Sequence, residues 1–229
     1  MFARFLPALV LLGIMTIPVA RSLAADEEKD FVPLFDGKSL DGWQIVGKVG
    51  PGYVVEDGVI VCPKDGGGKL FTKKEYANFV FRFEYRLEPG GNNGVGLRAP
   101  LEGDAAYVGM ESQILDDDAP QYAGKLEPGQ YHGSIYKVLP AKQGAPKKAG
   151  EWNTEEIICD GRHIKVTVNG QVTVDGNLDE VKDPEVLKAH PGIQRKLGYV
   201  GFLGHGPEAV AFRNIRIKAL PDSAASAAK

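Results

Sequence analysis

Residues 155–175 hold two turn signals inside one apolar stretch, and few folds tolerate that arrangement. In HIKVTVNGQVTVDG, Ile164, Val166 and Val168 recur at every second position. Asn169-Gly170 follows, and a second strand-like run reaches Val174. Asn-Gly between alternating runs marks a two-residue hairpin, whose central residues need positive φ. IICDGRHIKV places Asp160-Gly161 just upstream with the same device. Residues 155–175 are therefore expected to form a three-strand antiparallel meander. Glu56-Asp57-Gly58 marks another hairpin between YVV and VIV.

FVFRFEYRL (79–87) alternates over its whole length, with Phe79, Phe81, Phe83, Tyr85 and Leu87 on one face and Val80, Arg82, Glu84 and Arg86 on the other. That period of two is the pattern of a half-buried strand. Further strands fit at 94–99, 107–115, 132–138, 198–204 and 209–218, with many of the turns between them supplied by the 29 glycines. Many short strands with Gly-rich turns predict an all-β sandwich or closed barrel. The one good helix signal is DPEVLKAHPG, where Asp183 can cap, Pro184 suits the first helical position and Pro191-Gly192 stops the helix. A hydrophobic content of 43% is enough for one sizeable core. A net charge of −3 argues against nucleic acid or an anionic membrane surface as partner.

The N-terminus carries Arg4, an apolar run from Phe5 to Ala20, and Ser22-Leu23-Ala24 as a small-x-small pattern. This is the arrangement of a secretory signal peptide, and the run is short for a spanning helix. No Cys follows it, so lipidation is not expected. The expectation is a leader over 1–24, a single β domain over 25–221 and a disordered tail over 222–229. The mature protein would be periplasmic or secreted, with no membrane attachment. Export would permit a disulfide between Cys62 and Cys159, while two buried free thiols fit the apolar runs around them at least as well. No CxxC, CxxH or HExxH spacing points to a structural zinc.

In a two-sheet sandwich the inner faces pack together, and an outer face can curve into a groove. On strand 107–115, Met110, Ser112 and Ile114 fall on one side, with Glu111 and Gln113 on the other. Val95 and Leu97 point inward from 94–99, leaving Gly94, Gly96 and Arg98 outward; Val200 and Phe202 point inward from 198–204, with His205 at the strand's end. The outer faces thus offer Arg98, Glu111, Gln113, His205 and Glu84, with glycines between that leave room for a ligand. The plainer readings are a surface ion pair between Arg98 and Glu111, a turn at GHG, and a solvated turn at Asp116-Asp117-Asp118, which lacks the spacing of a calcium loop.

FDGKSLDGW (35–43), NNGVGLRA (92–99), ESQILDD (111–117), GSIY (133–136), GEWN (150–153), VNG (168–170) and GHG followed by FRNIRIK (204–218) occur in order. Together they resemble the 3-keto-disaccharide hydrolase domain family over nearly the whole mature chain. The resemblance implies a concanavalin A-like jelly-roll sandwich and an exported protein that acts on glycosides bearing a ketone at carbon 3. The family usually has Asn-Ser where this chain has Asn92-Asn93, and Gln-Asp before the His-Gly where this chain has Leu203-Gly204, so two polar groups are lost beside His205.

A ketone at carbon 3 acidifies the proton on carbon 2, so a base can form the enolate and expel the group on carbon 1. That route needs a base, an enolate stabiliser and an acid. The expected roles are His205 or Glu111 as base, Arg98 on the ketone oxygen, and Asp116 or Glu111 as acid. Gln113 would orient hydroxyls, with Glu84, Asn92, Tyr136 and Trp43 as further substrate contacts. No cofactor is required, although a divalent cation held by Glu111 and His205 could replace part of the Arg98 role. Two alternatives stand beside this. A retaining glycosidase would use Glu111 and Asp116 as a carboxylate pair about 5–5.5 Å apart. A non-catalytic carbohydrate-binding domain would stack Trp43, Tyr107, Tyr136 and Tyr199 on sugar rings.

Overall fold

The computed structural model describes residues 28–221; the leader expected over 1–24 and the tail over 222–229 lie outside the described residues. Thirteen strands are described: β1 (Val32–Pro33), β2 (Trp43–Val49), β3 (Val54–Glu56), β4 (Val59–Cys62), β5 (Gly67–Thr72), β6 (Phe79–Leu87), β7 (Asn92–Ala99), β8 (Met110–Leu115), β9 (Asn153–Asp160), β10 (His163–Val168), β11 (Gln171–Asn177), β12 (Tyr199–Gly204) and β13 (Val210–Ala219). Two short helices are α1 (Ala105–Val108) and α2 (Pro184–Ala189). The strands form two antiparallel sheets. The larger runs β11-β10-β9-β6-β13-β4-β3, with β1 beside β13, and the smaller runs β2-β5-β12-β7-β8. This is the expected jelly-roll sandwich.

The expected hairpins form. Val168 pairs with Gln171 across Asn169 (φ 49) and Gly170 (φ 78), and Glu56 pairs with Val59 across Asp57 (φ 47) and Gly58 (φ 78). Positive φ at both central residues gives the twist that two antiparallel strands need. Between β9 and β10 the turn sits one residue later than Asp-Gly suggests, with Asp160 paired to His163 and Gly161 (φ 55) and Arg162 at the tip. Asp183 caps α2 through its Oδ1, which accepts from Glu185 N at 2.9 Å.

Other expectations are corrected. Residues 132–138 do not form a strand: Gly133 (φ 76) and Lys137 (φ 55) bend the chain, and Ile135 bridges both Ser112 and Leu139. The stretch 107–115 begins as the end of α1 and becomes a strand only at Met110. Strands β2 and β5 give little alternation in the sequence, because Gly47, Gly67 and Gly68 interrupt them. Gly68 is required there by close approach, since a Cβ would lie 2.7 Å from Gly47 O.

The core lies between the sheets. Phe202 of β12 stacks on Phe212 of β13 with ring centroids 3.8 Å apart. Phe81 and Phe83 of β6 pack against the same Phe202 ring. Trp43 joins them, with its ring 5.9 Å from Phe202 and its indole N–H donating to Leu34 O at 2.6 Å. Only 4% of Trp43 is exposed, so it is a core residue and no platform for a sugar. Cys62 and Cys159 are buried free thiols on β4 and β9, strands separated by β6 and β13. Burial pushes the Cys159 thiol up to about 12.

Candidate active site

The outer face of the smaller sheet carries the polar cluster. Gly94 of β7 pairs with Gln113 of β8 and with Leu203 of β12, and Gly96 pairs with Glu111. Glu111 therefore extends outward, and its side chain lies over Gly94, where an added Cβ would overlap the Glu111 carboxylate. Gly96 makes the same allowance for the Phe71 ring, 2.8 Å from where its Cβ would be. These glycines make room for the protein's own side chains rather than for a ligand. Gly94→Ala should displace Glu111 and lower turnover about 100-fold or more, given how steeply rate depends on placement. Kinetics paired with a melting curve checks it, because a fold defect alone would move only the melting temperature.

His205 follows β12, and its Nε2 lies 2.7 Å from Glu111 Oε1. The carboxylate can only accept, so Nε2 carries a proton, and in the neutral imidazole Nδ1 keeps its lone pair. Glu111 exposes 3% of its side chain and His205 36%, so the carboxylate is the floor and the imidazole the accessible edge. Burial alone would lower the His205 pKa. The hydrogen bond and charge of Glu111, with a smaller contribution from Asp104, outweigh it and raise the value above the ordinary 6.5.

Two segments wall the pocket over the sheet. α1 is capped by Asp104, whose Oδ1 accepts from Ala106 N at 3.1 Å, and it brings Asp104, Ala106 and Tyr107 over the sheet. Beneath it Phe71, Ala99, Ala105 and Leu203 form a small apolar cluster. The bent segment after Gly133 is tied to β8, with Tyr136 N donating to Glu111 O at 2.8 Å and Gln113 N to Ser134 O at 3.0 Å. It delivers Tyr136, whose ring meets Tyr107 edge-on at 6.2 Å. His190 stacks behind Tyr107 at 4.8 Å. Desolvation raises the Tyr107 pKa, which keeps its hydroxyl a donor. Gln113 spends its Oε1 on Ile114 N (3.1 Å), leaving its amide N–H₂ as the donating group. Asn92, Asp104, Ala106, Tyr107, Glu111, Gln113, Tyr136 and His205 line a pocket of about 210 Å³.

Four expected site residues lie elsewhere. Arg98 sits where the β7–β12 register slips between Tyr199 and Gly201, and its φ of 48 ends the alternation. Its guanidinium, 1% exposed, donates to Ala77 O (2.7 Å), Gly161 O (2.8 Å) and Asn78 Oδ1 (3.2 Å). It pins loops together and is not in the pocket. Asp116 lies past the end of β8, with Oδ2 accepting from Gly90 N at 2.8 Å, in a separate hollow of about 450 Å³ shared with Asp117, Asp118 and Lys147. Glu84 is on the larger sheet, bonded to Arg213 and Asn214, in a third hollow of about 590 Å³. Trp43 is in the core. Both of these hollows are larger than the Glu111 pocket, yet neither brings an accessible imidazole against a buried carboxylate, so chemistry and not volume selects the site. Sequence reasoning missed Asp104 as a pocket residue; Asp before Ala-Ala-Tyr-Val is an N-cap signal that could have placed it at a helix start.

Asp117 carries a separate signature. Burial raises its pKa to about 6, partly offset by His132, whose backbone N–H it accepts at 3.0 Å. An acid with a raised folded pKa favours folding fully below the unfolded value and loses that contribution as pH rises through about 6. Asp117→Asn keeps an acceptor for His132 N. It should raise the melting temperature at pH 8, by an amount bounded by about 3 kcal/mol, and change it little at pH 4. Melting curves at the two pH values check the sign.

A divalent cation on Glu111 and His205 would need further protein donors. Among the described residues no group of three or more His, Cys, Asp or Glu side chains is arranged to hold one, and Glu111 and His205 bond directly to each other.

Fold and site together define a jelly-roll protein that sets an imidazole–carboxylate pair in a polar pocket on one sheet. The family model described as 3-keto-alpha-glucoside-1,2-lyase-like domain matches residues 30–218, and the chain belongs to that family. It is 28% identical to a 3-keto-disaccharide hydrolase of Bacteroides thetaiotaomicron, covering 83% of this chain and 78% of the relative. A solved structure from Parabacteroides distasonis, assigned to the glycosyl hydrolases, is 30% identical with a TM-score of 0.71, over 83% of this chain and 99% of that one. The carbohydrate-binding module CBM66 of Bacillus subtilis shares the fold alone, at 10% identity and a TM-score of 0.52 over 78% of this chain and 96% of that one. These relatives give the chain a glycosidase-family function.

Proposed function

We propose that the chain cleaves glycosides of 3-keto sugars by elimination across carbons 1 and 2, with or without rehydration. The observation that carries this reading is the His205–Glu111 pair: one buried carboxylate holds an imidazole with a raised pKa and a free Nδ1 at the mouth of a ring-sized pocket. His205 Nδ1 takes the proton from carbon 2. The electron pair left behind forms the enolate with the ketone at carbon 3. The enolate then re-forms the ketone, making the carbon 1–carbon 2 double bond and expelling the oxygen on carbon 1. Tyr107, Tyr136 and the Gln113 amide are the donors on hand for the enolate oxygen and the leaving oxygen. In the hydrolytic outcome water adds back, with hydroxyl to carbon 1 and a proton to carbon 2.

This arrangement needs neither Arg98 nor a second carboxylate. The carboxylate that shares the pocket with Glu111 is Asp104, not Asp116. That observation keeps one other reading, direct acid–base hydrolysis of unoxidised sugars by Glu111 and Asp104. Incubating the protein with 3-keto-glucosides and with their unoxidised parents separates the two: elimination requires turnover of the keto forms alone, whereas cleavage of the parents would select the carboxylate pair.

A further inference from the structure

One pocket atom has no role in that chemistry. Asn92 Oδ1 is shielded from solvent and has no hydrogen-bond partner. Its neighbours each have an oxygen engaged: Gln113 Oε1 by Ile114 N, Asp104 Oδ1 by Ala106 N and Glu111 Oε1 by His205. An amide oxygen can only accept, and a buried acceptor left unpaired is costly. The chain also fixes Asn92 in place. A Cβ at Gly206 would stand 3.1 Å from Asn92 Cβ and 3.3 Å from its backbone N and O, so the loop after His205 closes directly on this residue. Rotation about the soft terminal torsion of the side chain is the freedom that can turn its oxygen toward a ligand.

We propose that Asn92 is a specificity-determining residue whose amide oxygen accepts from one hydroxyl of the bound sugar ring. The proposal rests on the reading of this pocket as a sugar site. It does not require the elimination chemistry, since an unpaired acceptor beside a ring-sized pocket calls for a donor whether or not a bond is broken. A hydroxyl supplies that donor, and a sugar lacking the hydroxyl forfeits the bond.

The test compares the full chain with Asn92→Leu, which keeps the branched shape and removes the acceptor, and Asn92→Asp, which keeps an acceptor. The probes are methyl 3-keto-α-glucoside and its 2-, 4- and 6-deoxy forms. The readout is kcat/KM, together with the dissociation constant by NMR titration. In the wild type, one deoxy form is expected to be about 10- to 100-fold poorer than the parent. Asn92→Leu should weaken the parent by a similar factor, leave that one deoxy form nearly unchanged, and weaken the other two like the parent; Asn92→Asp should keep the wild-type ranking. Equal weakening of all four probes by Asn92→Leu, or none, overturns the proposal, as does a variant that changes only the melting temperature, because the oxygen would then serve the fold. Binding with the selective pattern but without turnover upholds Asn92 and removes the elimination reading. Turnover without the pattern does the reverse, and no binding of any probe overturns both.

Discussion

Replacing His205 by alanine is expected to lower kcat/KM on a 3-keto-glucoside by about 10²–10⁴-fold, the usual contribution of a positioned general base. The melting temperature should fall as well, because the buried Glu111 carboxylate loses its hydrogen bond from His205, so rates are compared per folded molecule below the transition. Glu111→Gln probes the same pair by pH. The base works only when unprotonated, and Glu111 raises the His205 pKa above 6.5, so the acid limb of the wild-type rate profile should lie above that pH. With glutamine in place, the charge is gone and burial still acts to lower the value, so the limb should move to lower pH. The stability linkage has the matching sign. A histidine with a raised folded pKa contributes fully below pH 6.5 and loses that contribution as pH rises through the raised value. An acid limb that stays in place in Glu111→Gln would show that the limb does not report His205.

Arg98→Met should have the largest effect on stability. It leaves Ala77 O, Gly161 O and Asn78 Oδ1 without the donor that now serves them from a buried position. Asn78 Oδ1 keeps the Gly161 N–H at 2.9 Å, so the two carbonyls are the groups left unsatisfied, and at about 1–3 kcal/mol for each a loss of about 2 kcal/mol or more is expected. For a chain of this size each kcal/mol is worth about 2–4 °C, so the melting temperature should fall by about 4–8 °C or more. Arg98→Lys should fall between, since a single ammonium cannot reproduce a fork that spans three acceptors. Below the lowered transition, kcat/KM per folded molecule should match the wild type. An unchanged melting temperature with lost activity would instead put the guanidinium back on the substrate ketone.

Arg98 also shows where reading the sequence stops. Period-two alternation placed Glu111 and Gln113 on one face and Met110, Ser112 and Ile114 on the other, because β8 keeps that period throughout. It placed Val95 and Leu97 inward for the same reason. It failed at Arg98, where a bulge and a positive φ break the alternation within one residue. It failed differently at Glu84, which does point outward as read: the period says which face a side chain takes, but not which of the two sheets its strand joins. Asp116 was carried one residue beyond the end of β8 into a turn. Trp43 lies on a strand whose signal is broken by Gly47, so its burial was hidden. The meander, the hairpins and α2 were legible because each depends on a local turn or cap.

Within the site, Glu111 and His205 come together across 94 residues of chain, with β7 lying between their strands and Gly94 leaving space for the carboxylate. The glycines suggested open space; only the packing shows that the protein fills it. Asp104 enters as the cap of a four-residue helix and Tyr107 within it, at the point where a strand was expected to begin.

Label loss from carbon 2 tests the central claim most directly. A methyl 3-keto-glucoside carrying deuterium at carbon 2 is incubated with the protein in ordinary water, beside the unoxidised labelled glucoside. Proton abstraction by His205 predicts that the keto form reacts with a primary isotope effect and loses its label to solvent, while the unoxidised form stays intact. Cleavage of either sugar with the carbon 2 label fully retained would contradict it.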